Sequence, residues 1–159
     1  MALGAVLLVV GQSFIRPLEA RLSALTISVS QVAPARALGT AVVFPLQTRV
    51  VGFDITAGCT AALLVSPFFL LAAGLVLTRR TSVGRGIGTL AAVAVALFLV
   101  NQFRLLVVAL SMRLWGFNRG YDVSHIFLGT VVSTLGVLAG VLFYVRSVVR
   151  QRGPEAADG

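Results

Sequence analysis

Apolar positions in this chain gather into long runs, with the charged residues, Arg104 apart, held back to the gaps between them. Four runs stand out. The first is Met1 to Ile15, which as a helix covers roughly 22 Å, short of a hydrocarbon core of roughly 30 Å. It is expected to continue past Arg16 and Pro17 toward residue 27 as an amphipathic stretch, because Leu18, Leu22 and Leu25 fall at helical spacing. The second run is Ile55 to Thr78, closed by Arg79 and Arg80. It contains Pro67, which must either kink the helix or be absorbed by its neighbours. The third is Ile87 to Leu110, and the fourth is Val123 to Val145, closed by Arg146, Arg150 and Arg152. Uncharged apolar runs of about twenty residues predict transmembrane helices. The expected fold class is therefore all-α: a polytopic membrane helix bundle with about four spans, forming one domain over residues 1–152. The polar tail 153–159 is expected to be disordered.

The longest stretch outside the runs is residues 31–57. Thr40 to Phe44 and Arg49 to Ile55 are rich in β-branched and aromatic residues, with Pro45 to Thr48 between them. That pattern predicts a short hairpin on the membrane surface, leading into the second run.

Composition narrows the class further. The chain is 58% hydrophobic and only 11% charged, where a soluble domain is about a quarter charged. The net charge of +8 is carried by arginine alone. Scattered between apolar runs, these arginines read as anchors at lipid headgroups, not as a nucleic-acid surface. No basic residue precedes the first run, which argues against a cleaved signal peptide. The loop Arg79 to Arg85 and the flank Arg146 to Arg152 each hold three arginines in seven residues, against seven spread over the longer segments of the opposite face. Arginine density beside the helix ends places both termini in the cytoplasm.

Three polar residues then matter for their position. Cys59, the sole cysteine, opens the second run; Arg104 lies near the close of the third; His125, the sole histidine, opens the fourth. A chain that alternates direction across a bilayer brings these three points to one face, here the extracytoplasmic one. Cys59 is expected in the first turn of its helix, where unpaired N–H groups and the helix dipole favour an anion. His125 at a helix start tends to stay neutral and able to accept a proton, with Asp122 three residues earlier to cap the helix or orient the ring. Arg104 is flanked by apolar sequence, and Asn101 shares its helix face. An arginine at membrane depth costs roughly 2.5–3.5 kcal/mol, so it points into a bundle or snorkels to headgroups. Each residue also has a plain reading: a cysteine as small packing residue, an interfacial histidine, a snorkelling arginine. Together, a thiol, an imidazole and a guanidinium are the parts of a cysteine acyl-transfer site. One histidine, one cysteine and few acids make a metal site a poor fit, and no nucleotide-binding fingerprint is present.

Those residues resemble the exosortase/archaeosortase family of membrane-embedded, sortase-like transpeptidases. The likeness covers roughly Gly52 to Val145. It rests on Ala-Gly-Cys-Thr-Ala around Cys59, on Asn-x-x-Arg (Asn101, Arg104) and on Asp-x-x-His-x-x-x-Gly (Asp122, His125, Gly129). Its length suggests a minimal form, and Thr60-Ala61 stands where many relatives have Ser-Gly, which leaves the recognised motif open. The resemblance implies a cysteine transpeptidase or protease, without cofactor, acting on exported proteins that end in a short motif, a transmembrane helix and a basic tail. Cys59 is then the nucleophile, His125 the proton carrier, Arg104 the oxyanion or substrate clamp, with Asn101 and Asp122 in support. A non-catalytic membrane scaffold, with Arg104 ordering the bundle, is the alternative.

Overall fold

A computed structural model describes residues 11–78, 82–124 and 129–149. Most of the first run, Arg79 and Arg80, His125, and the tail lie outside the described residues. The described residues are 75% helical. In order, the elements are α1 (Gln12–Val29), β1 (Arg36–Leu38), β2 (Ala41–Leu46), β3 (Arg49–Asp54), a single 3-10 turn (Ala57–Cys59), α2 (Ala61–Leu77), α3 (Val83–Trp115), α4 (Phe117–Asp122) and α5 (Gly129–Val149).

The all-α expectation needs correction. A three-stranded antiparallel sheet, in the order β1-β2-β3, stands between α1 and α2. Its β2–β3 hairpin is the one the sequence predicts, with a tighter turn. Leu46 pairs with Arg49, so only Gln47 and Thr48 bridge the strands, and Gln47 takes a positive φ of 55°. Pro45 belongs to β2 and sits opposite Val50. β1 begins opposite Val43, so no neighbouring strand is left without the N–H that proline lacks. Period-two alternation turns Val42, Phe44, Val51 and Phe53 to one face, and Phe44 and Phe53 meet edge to face at 6.5 Å.

That face packs on Ala20, Ala24 and Ile27 of α1 and on Leu105, Val108, Ala109 and Met112 of α3, with Cys59 at the margin of the same cluster. A second cluster joins α2, α3 and α5 through Val65, Phe68, Leu90, Val93, Leu97 and Tyr144. The polar residues around Arg104 fall between the two.

Among the described residues, two helices are long and apolar enough to cross a membrane: α3 over its 33 residues, and α5 from Gly129 to Ser147. α2 is apolar but has 17 residues, roughly 26 Å. The second run begins later than expected because residues 55–60 are spent on the strand exit and the 3-10 turn. The third runs further than expected: α3 continues to Trp115, and the buried side of its last turns is covered by α1 and by α4, whose Gly120 lies against Ser111 and Met112. Gly116, at φ 82°, then ends it in a conformation that glycine adopts freely. Pro67 is absorbed: it offers no N–H to the carbonyl of Leu63, and the Ser66 hydroxyl donates there instead at 2.9 Å. Large apolar side chains face outward along three helices: Leu63, Leu70 and Leu77 on α2, Val95, Leu99 and Phe103 on α3, Leu135, Leu138 and Leu142 on α5. Such a belt is the surface a bilayer covers.

Candidate active site

Cys59 is delivered by the sheet. After β3 the Ile55 N–H donates to the Thr40 carbonyl at 3.0 Å, and the Cys59 N–H closes the 3-10 turn on the Thr56 carbonyl at 2.9 Å. Thr60 is the N-cap of α2, in extended backbone, its hydroxyl oxygen accepting from the Ala62 N–H. Cys59 therefore stands one residue ahead of the cap and not inside the first helical turn, because Thr60 is the residue suited to capping. Its thiol is buried, at 4% exposure.

Arg104 comes from α3, where Leu97, Asn101, Leu105 and Val108 mark the buried side of the helix. At 8% exposure its guanidinium turns inward among the helices, so it does not reach for solvent. Nη2 lies 3.7 Å from Cys59 Sγ, and Nη1 donates to the Ser133 hydroxyl of α5 at 3.3 Å. The seat for the guanidinium is Gly129: a Cβ there would come within 2.7 Å of Arg104 Nε.

Of the sequence-derived site residues, the structure brings Cys59 and Arg104 together. His125 lies outside the described residues; Gly129, four positions later, is against the guanidinium. Asn101 is fully buried, but neither of its amide atoms finds a hydrogen-bond partner among the described residues. The expected support of Arg104 by Asn101 is thus not a hydrogen bond; Ser133 fills that part. Asp122 is exposed at the end of α4. Beside it stands Tyr121, whose phenol is within electrostatic reach of Cys59 and Arg104. Burial pushes its phenol above the ordinary range, negative charge at Cys59 adds to the rise, and Arg104 opposes it.

Two further residues escape the sequence reading. Glu19 of α1 is fully buried and accepts at Oε1 from the Thr60 hydroxyl at 3.1 Å and from the Ala61 N–H at 2.9 Å. Gln102 accepts from Ser23 at 2.7 Å, fastening α1 to α3. A glutamate in an amphipathic stretch and a glutamine beside an arginine carry no sequence signal that separates them from surface residues; the one available hint is that Glu19 falls on the face of α1 shared with Ser23 and Ile27. Among the described residues no group of acidic, histidine and cysteine side chains could hold a metal ion.

Comparison with known proteins gives no match: no family model, no curated protein and no solved structure matches the chain.

Proposed function

We propose that this chain is an integral membrane cysteine transpeptidase or peptidase that cleaves C-terminal sorting signals of exported proteins. The observation that carries the reading is the approach of a buried guanidinium to a buried thiol, Arg104 Nη2 to Cys59 Sγ at 3.7 Å. Burying an arginine is costly, and a cation beside a cysteine favours the thiolate that attacks. In this reading Cys59 attacks the scissile carbonyl, His125 takes the thiol proton and returns it to the leaving amine, and a thioacyl-enzyme forms. Arg104 holds the developing oxyanion. A nucleophilic surface acceptor then releases the product, or water does. The chain sits in the cell membrane as a multi-pass protein, with the site at the extracytoplasmic face and both termini inside. No cofactor is needed for this chemistry.

Cys59→Ala and Cys59→Ser should each abolish processing, read as the mass of a co-expressed exported protein bearing the motif, helix and basic tail, with membrane levels of the enzyme unchanged. Normal processing by the alanine variant would rule out covalent catalysis at this residue. The alternative, a non-catalytic membrane scaffold, draws on a separate observation: Ser133 and Gly129 fasten Arg104 to α5, as a purely architectural arginine would be fastened.

A further inference from the structure

We infer that Glu19 is the positioning residue for Cys59: its carboxylate holds the junction that carries the thiol at its distance from Arg104. This deepens the reading of Cys59 as nucleophile and rests on it. Thr60 caps the α2 N-terminus through the Ala62 N–H, which leaves the buried Ala61 N–H without an acceptor from the cap itself. A carboxylate 42 positions away in the chain reaches the same place and takes the Ala61 N–H, and with it the Thr60 hydroxyl. A buried carboxylate is an expensive second cap, because desolvation of the charged form opposes it, and Oε2 of Glu19 has no hydrogen-bond partner among the described residues. What the long reach adds is a tie between α1 and the two residues that follow Cys59.

The tie has a rigid base. Ala20, Ala24 and Ile27 of α1 are buried in the cluster that also contains Cys59, and Ser23 is bonded to Gln102, two residues before Arg104 on α3. α1 therefore grips both sides of the thiol–guanidinium pair, Thr60-Ala61 through Glu19 and α3 through Ser23. Without Glu19 the 3-10 turn keeps its own Thr56 bond but loses its anchor, and Cys59 can drift out of the cluster and away from Arg104.

Because Cys59 is the sole cysteine, its position can be read directly in native membranes by the rate of alkylation with N-ethylmaleimide at a fixed pH. Glu19→Ala and Glu19→Asp, which lacks the reach, should alkylate several-fold faster than wild type as the thiol becomes accessible, while processing of the test substrate falls at least tenfold. Glu19→Gln keeps the acceptor oxygen and should stay within about threefold of wild type in both. A general loss of packing would affect the glutamine variant as well. Should the alanine variant fail to reach the membrane, the aspartate and glutamine variants decide. Equal alkylation rates in Glu19→Asp and wild type would overturn the positioning role, whatever processing does. If alkylation behaves as expected but Cys59→Ala still processes substrate, Glu19 positions a thiol that is not the nucleophile, and the catalytic reading alone fails.

Discussion

At the scale of single residues, Arg104 is where charge and geometry can be separated. Its guanidinium divides between a thiol and a hydroxyl on two different elements, a use of its planar fork that an ammonium cannot copy. Removing one oxyanion donor costs on the order of 10²–10³ in rate. Arg104→Lys should lose most processing activity and Arg104→Ala at least as much, with both variants still inserted. Full activity in the lysine protein would remove the oxyanion role and leave a simple counter-charge. The residue scale is also where sequence reading found its limit. Cys59 and Arg104 were legible because each is anomalous in an apolar chain: the sole thiol, and a charge inside a run. Glu19 and Ser133 were not, because their chemistry depends on residues 42 and 29 positions away. Asn101 stood out by spacing alone, and spacing does not say where an amide turns.

At the scale of elements, the hairpin was legible because its strands carry their own alternation and β-branched residues. β1 was not: three residues, Arg36-Ala37-Leu38, hold no pattern, and they become a strand only by pairing with β2. The boundaries of α2 and α3 shifted for a related reason. A hydropathic run marks where apolar side chains are dense, whereas a helix starts at its cap and continues as long as tertiary contacts cover it. The contact between α3 and α5 makes a sharper test. These helices approach through Gly129, Gly136 and Gly140, which face Arg104, Val100 and Val93 of α3, with Phe68 of α2 also against Gly140. A methyl group at Gly129 must displace the guanidinium, an overpacking that costs about 1–3 kcal/mol. Gly129→Ala is expected to cut processing roughly tenfold or more and to lower the thermal midpoint in detergent. Gly74→Ala, at a position with open space around its Cβ site, should leave activity unchanged. Equal behaviour of the two variants would mean that the seat of Arg104 does not matter.

For the whole molecule, the arrangement is a helical base with the sheet packed against the upper part of α3. At 33 residues α3 spans roughly 50 Å, well beyond a hydrocarbon core of roughly 30 Å. It is thus longer than a single crossing needs, and its last turns share a buried cluster with α1 and the sheet. On the proposed insertion, a reporter fused after Gly153 should read as cytoplasmic; an extracytoplasmic signal would invert the protein and move the chemistry inside.

The three strands carry a consequence for anything that digests the protein from that side. Gly39-Thr40 and Gln47-Thr48 are two-residue turns, and Arg113 closes the loop after α1 by donating to the carbonyls of Gln31 and Val32. The eight described arginines between Arg16 and Arg119 all lie within a helix or a strand. A trypsin-like enzyme needs several residues of open chain around its arginine, and on this face none is offered in a loop. Cleavage there has to wait for a strand or a helix to open. The resistance of this surface to proteolysis is thus set by the free energy of local unfolding.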